Sequence, residues 1–247
     1  MNFKFNQVKI KPEMSDILFV KSNDPDRYLL SLFISKYDAR EAVLAADMLN
    51  IEIARLRDII ETPHMGFIRL QWWRDEIKKI YANQKYAPHP VLEKLSRIIQ
   101  NHRIPFELFD NLLSARDADF EEHYEFDIYA YARNIHTPLL KIKSIILDET
   151  EDTSPLAEAY ALIGLIRSIP FYRARSQVFI PSIQPTAVKV ICDRAEELLS
   201  CDKTTHRYFK VHHVLAKLYL NQLKKSGYSP EDIKPLPFKE LRVWWGS

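Results

Sequence analysis

From Asn50 to Ile80 apolar and charged positions recur with a helical period, in two runs joined by a Pro-containing break. In the first run Leu49, Ile53, Leu56 and Ile60 share a face, because residues three and four apart stack along a helix. In the second, Ile68, Trp72 and Ile77 form a stripe that Leu70 and Trp73 widen, and charges cover the rest. Asp58 and Glu61 stand beside the first stripe at a spacing that places one carboxylate above the other. A carboxylate pair followed at once by an aromatic cluster marks where chemistry would sit.

Elsewhere the pattern is also helical. Residues 1–22 lack periodicity and read as an irregular lead-in, with one all-α domain expected over 23–247. Asp24-Pro25 is a helix start, a capping side chain followed by Pro at the first helical position. Asp38 heads a helix that runs to Glu61, with Ala42, Ala45 and Ala46 spaced to admit a close neighbour. Helices are expected over Val91–His102, from Pro105 to near Tyr124, and from Asp127 onward with a kink or break at Pro138. Further helices should cover Ser154–Ile169, Ala187–Leu199 and His206–Lys225, the last ended by Gly227. Gln177–Ile180 could be extended but is too short to found a sheet.

Composition supports the helical reading, since the 247 residues include only four glycines and sheet proteins need glycine in hairpins. A net charge of +2 gives no basic face for nucleic acid. Cys192 and Cys201 lack metal-ligand spacing and read as reduced thiols. The N-terminal stretch, with Glu13 and Asp16, resembles neither a secretory signal nor a transit peptide, and no window is long and apolar enough to span a membrane. The adjacent His212 and His213 have no acid at ligand spacing and read as structural. Trp244 and Trp245 are the candidates for a partner or membrane-surface contact.

The segments RYLLSLF, NIEIARLRDIIE, IRLQWWRDEI, LLSARDADFE, YARNIHTPLL and ALIGLIRSIPFYRARSQVFIP resemble the squalene/phytoene synthase family, over about Asp24 to Trp245. IRLQWWRDEI and the HPVL at His89–Leu92 look most like members related to mitochondrial complex I assembly factors. The resemblance implies an isoprenoid synthase-type helical bundle around a central apolar cavity. It also implies two aspartate-rich motifs on facing helices that seat Mg²⁺ ions for an allylic diphosphate, whose leaving group needs cationic neutralisation.

Both motifs are degenerate here. The first aligns with Arg57, Asp58 and Glu61, and a guanidinium stands where the leading acid belongs. At the second, which runs from Gly164 to Tyr172, Arg167 remains, but Ser168, Phe171 and Tyr172 replace acids. Asp58 and Glu61 are expected to be satisfied by Arg57 and Arg55 on their own helix. Asp117 and Asp119, with Glu121, Glu122 and His123 behind them, read as a solvated charge run.

The resemblance therefore implies a non-catalytic member without cofactor, active in complex I assembly or in binding an apolar lipid, a prenyl ligand or a partner. It would be cytoplasmic, at the inner face of a membrane, or in the mitochondrial matrix if eukaryotic. The alternative is an active Mg²⁺-dependent prenyl transferase, with Asp58, Glu61 and Asp119 on the metal and Arg167 assisting. A filled helical adaptor with no cavity is a third reading.

Overall fold

The computed structural model describes residues 12–121, 127–174 and 184–246. Among the described residues the secondary structure is helical throughout. In chain order it comprises α1 (Pro12–Asn23), α2 (Pro25–Ser31), α3 (Tyr37–Ile59), α4 (Pro63–Tyr81), α5 (Pro90–His102) and α6 (Phe106–Ser114). A 3₁₀ turn, Asp117–Phe120, precedes α7 (Ile128–Leu147) and α8 (Ser154–Arg173). The chain continues with α9 (Pro185–Cys201), α10 (Arg207–Lys225), a short turn at Pro230–Asp232, and α11 (Lys239–Trp245).

Local chemistry explains most boundaries. Asp24 caps α2 by accepting from the Arg27 amide at 3.0 Å, and Asp127 caps α7 by accepting from Tyr129 and Ala130. Pro25, Pro63, Pro90 and Pro185 open helices where a missing N–H costs nothing. Gly227, at φ +65°, follows the end of α10 in the left-handed conformation that glycine adopts freely.

Five expectations are corrected. The lead-in is not irregular throughout, because Pro12–Asn23 is helical and packs on α2 and α3. The helix from Pro105 stops at Ser114 rather than near Tyr124. Pro138 does not break α7, which is assigned as one helix to Leu147, and Pro170 lies inside α8, which extends to Arg173. The helix carrying Asp58 ends at Ile59, where Ile60 turns extended (φ −103°, ψ 124°), so Glu61 lies beyond it. Gln177–Ile180 lies outside the described residues.

The layers are set by α7 and α8, which pack on each other. α3, α5 and α6 lie against α7, and α9 and α10 lie against α8. Leu139, Leu140 and Ile142 of α7 meet the core with no exposed surface, as do Leu156, Leu162 and Ile166 of α8. Burying each such side chain stabilises the fold by roughly 1.5–3 kcal/mol. This apolar sandwich fixes the helix faces that line the cavity described next.

Candidate functional site

A cavity of about 280 Å³ opens between α2, α3, α7, α8 and α10. α3 contributes Ala54 and Arg57, and α8 contributes Tyr160, Gly164, Arg167, Ser168 and Tyr172. α7 supplies Tyr131, Ile135 and His136, α2 and its cap supply Asp24, Asp26 and Arg27, and α10 supplies Tyr219. Arg116, just before the 3₁₀ turn, closes one side. The lining is thus mixed: apolar side chains alternate with guanidinium and phenol groups.

Arg57, Gly164, Arg167, Ser168 and Tyr172 converge on this cavity, although they come from helices more than 100 residues apart in sequence. Asp58, Glu61 and Phe171 do not line it. All three are exposed, so the two acids of the first motif face solvent. Arg57 pairs across the fold rather than along its own helix: its Nη1 lies 3.5 Å from Asp119 Oδ1, and its guanidinium stacks over the Tyr172 ring at 3.9 Å.

Asp119 is likewise not part of a solvated run. Its side chain is only 1 % exposed, and it accepts from Arg57, from Arg116 Nη1 at 3.4 Å, and from the Tyr131 hydroxyl in a short bond. Asp117 diverges from it toward α4, 3.5 Å from Arg74. Burial works against the charge on Arg116, yet Tyr131 and Asp119 outweigh it and hold the guanidinium above its ordinary range. Burial, with the Asp119 charge, also pushes the Tyr131 phenol up, so it stays protonated and donates.

At the opposite wall Asp26 is the hub. It accepts from Lys239 at 2.7 Å and from the Tyr219 hydroxyl at 2.6 Å, with Arg167 at 3.8 Å. Arg167 also lies 3.3 Å from the Tyr219 ring centroid. Beneath the cavity Arg27 bridges Asp24 (2.8 Å) and Asp47 (2.9 Å), and Lys143 joins Asp47 (2.6 Å) and the Tyr208 hydroxyl (2.9 Å). Burial pulls the Lys143 ammonium down to about 8, an effect that Asp47 only partly offsets.

The residues offered for Mg²⁺ do not fit it. Magnesium takes oxygen ligands and tolerates few substitutes. Asp58 and Glu61 point outward, and Asp119 is enclosed by two arginines and a phenol; Asp26, a cavity carboxylate outside that set, is held by Lys239. Among the described residues no group of three or more His, Cys, Asp or Glu side chains is placed to hold a metal ion.

Several members of the site were not singled out from sequence: Arg27, Asp47, Tyr131, His136, Lys143, Tyr160 and Tyr219. A signal did exist for two of them. Asp47 interrupts AVLAADML and Lys143 interrupts LLKIKSII, and a charge inside an apolar run is either paired or misplaced. His212 is buried, its ring 4.1 Å from Tyr160 and 6.0 Å from His136, while His213 bonds Asp202 at 2.7 Å. Both cysteines are free. Trp244 and Trp245 are 59 % and 81 % exposed on α11, beside exposed Phe238 and Leu241. Among the described residues no helix is long and apolar enough to cross a membrane.

The chain matches complex I assembly factor 6 of Homo sapiens with 25% identity over 171 residues, covering 66% of this chain and 50% of that protein. The Dictyostelium discoideum homolog is 27% identical over 171 residues, covering 66% and 48%. The chain spans about half the length of these curated relatives. Among solved structures, squalene synthase HpnC from Alicyclobacillus acidocaldarius superposes with a TM-score of 0.70 at 17% identity, covering 88% of this chain and 96% of the other. A ligand-bound dehydrosqualene synthase superposes with a TM-score of 0.72 at 16% identity, covering 94% of each. These two share the fold. The family model for squalene/phytoene synthase matches residues 20–184, the part that holds nearly all of the cavity wall, and the chain belongs to the squalene/phytoene synthase family.

Proposed function

We propose that this chain is a non-catalytic member of its family that acts in the assembly of respiratory complex I. The observation that carries the reading is the fate of the acids. Ionising an allylic diphosphate requires divalent cations to take up the leaving charge, and those cations need carboxylates aimed into the cleft. Here Arg57 faces the cavity, its neighbour Asp58 faces solvent, and Asp119 is enclosed by Arg57, Arg116 and Tyr131. A wall of guanidinium groups repels Mg²⁺ where the reaction would need it bound.

The similarity to proteins named complex I assembly factor 6 supports the biological half of the reading. In this role the cavity serves as a binding site rather than a reaction vessel, and no metal cofactor is required. The exposed aromatics of α11, Trp244 and Trp245, supply the contact to a partner or a membrane surface. The site of action would be the inner face of a membrane.

Two measurements test this. Purified protein incubated with farnesyl diphosphate, Mg²⁺ and NADPH should give no product and no pyrophosphate above a boiled control. Turnover would overturn the proposal and establish the prenyl transferase instead. Deleting the gene in the source cell should deplete assembled complex I on a blue-native gel, with rescue by the wild-type chain. Unchanged complex would refute the assembly role.

A further inference from the structure

α11 turns two side chains inward: Lys239 bonds Asp26, and Val243 joins the core with no exposed surface. The other side of this helix faces solvent and carries Leu241, Trp244 and Trp245, which are 55 %, 59 % and 81 % exposed. Phe238 extends that apolar face. It precedes the helix in the left-handed conformation (φ 53°), unusual for a bulky residue, and keeps 74 % of its surface in solvent.

Beside α11 the tail and the end of α10 enclose a groove of about 350 Å³. Lys225, Lys234 and Arg242 line it against one acid, Asp232, with apolar lining from Leu218, Leu236 and Pro237. All three cations are exposed, and among the described residues none of them is in an ion pair. Lys217, one turn before Asn221 of the groove, adds a fourth exposed cation. Glu231 is already paired with Arg173, so the acids opposed to these four are Asp232 and Glu240. The groove and the apolar face share an edge: the Arg242 amide bonds the Phe238 carbonyl at 3.0 Å, and Trp245 follows Arg242 by three positions. The Gln222 side-chain amide donates to the Lys234 carbonyl and ties the tail to α10.

Charge and area decide what this surface fits. Exposed Trp and Phe flanked by Lys and Arg is the make-up of a helix lying in a membrane interface, where indoles sit at headgroup depth and cations meet anionic lipid. A protein interface depletes lysine and needs about 800 Å² from each partner. Taking ~250 Å² as an upper bound for each of the four apolar side chains, their exposed fractions leave less than that.

We infer that α11 and the adjoining groove dock on an anionic phospholipid surface. Headgroups meet Lys225, Lys234 and Arg242, while Phe238, Leu241, Trp244 and Trp245 enter the boundary with the acyl chains. This names the occupant of the contact assigned to α11 and rests on that part of the proposed function. Prenyl turnover and complex I depletion bear on the assembly reading, whereas vesicle binding bears on this one alone.

Co-sedimentation of the full chain with vesicles of phosphatidylcholine, alone or mixed with phosphatidylglycerol, tests it. Binding should be at least about tenfold tighter to the mixed vesicles and should weaken as added salt screens the charges. Lys225→Gln with Lys234→Gln changes two exposed, unpaired side chains, so the variant should fold normally and lose about fivefold in affinity per cation. Trp245→Ser, also at an exposed position, should weaken binding to the mixed vesicles, with circular dichroism confirming the fold of both variants. Equal affinity for neutral and anionic vesicles, or wild-type affinity in both folded variants, would overturn the inference. Absence of any vesicle binding would overturn it as well and would leave this face to a protein partner.

Discussion

Removing the carboxylate of Asp47 should be among the most damaging single changes in this chain. Asp47 sits in α3 with no exposed surface and accepts from Arg27 of α2 at 2.9 Å and from Lys143 of α7 at 2.6 Å. Lys143 in turn donates to Tyr208 of α10, so one carboxylate ties four helices beneath the cavity. Asp47→Asn leaves two buried cations facing each other with only Asp24 nearby. Breaking a buried pair in this way costs about 3–5 kcal/mol, most of it the penalty of an uncompensated charge rather than a lost attraction. That reasoning makes a second, sharper forecast. Lys143→Met combined with Asp47→Asn removes one of the cations with the anion, and should recover at least half of the loss. Urea unfolding followed by circular dichroism at neutral pH measures both, read as midpoint shifts at constant slope. Asp47→Asn losing under about 1 kcal/mol would refute the account, as would a double variant that is the sum of its singles.

Other outcomes follow from the same coordinates. His136 and His212 are held well below the ordinary histidine range, first by burial and then by neighbouring cations including Arg27 and Lys143. A lowered histidine is neutral when folded and takes a proton when unfolded, so its contribution is complete above about pH 6.5 and lost as pH falls. Two such groups should cost about 2 kcal/mol between about pH 6.5 and 5.5, with half-buried His206 acting in the same sense. The double variant His136→Phe with His212→Phe should flatten most of that slope in unfolding titrations, and an unchanged slope would count against the burial argument. A methyl group at Gly66 of α4 would overlap the ring of buried Phe120, next to Asp119. Gly66→Ala should therefore lower stability by about 1–2 kcal/mol despite better helix propensity, and a raised midpoint would show that the ring can yield. Ser168→Asp with Tyr172→Asp places two acids in the cavity wall and should raise Mg²⁺ affinity in calorimetry without restoring turnover; no change would mean that these positions do not face a common point.

Where local chemistry decides, the chain could be read directly. Asp24-Pro25 and Asp127 announce helix starts that the structure shows, because a capping side chain reaches only two or three residues along the backbone. The segment quoted for the resemblance at Gly164–Tyr172 does supply much of the cavity wall. Partnerships across the fold are a different matter. Helical spacing pairs Arg57 with Glu61, yet the helix ends before Glu61, and Arg57 meets Asp119 from 62 positions away. Asp47 and Lys143 are 96 positions apart, and nothing in either neighbourhood specifies the other. The acid run after Arg116 looked solvated because charge density alone cannot reveal a 3₁₀ turn that sends Asp119 inward and Asp117 toward Arg74. Helix α1 escaped notice since its apolar positions fall together rather than at helical intervals.

The bond from Lys239 to Asp26 joins positions 213 residues apart and makes the last helix a latch on the cavity wall. Trimming that tail is therefore not a neutral edit. It would leave Asp26 with Tyr219 and Arg167 and remove one positive charge from that wall. Trp244 and Trp245 ride on the same seven-residue helix, so their indole emission should report any disturbance of the latch without an added dye.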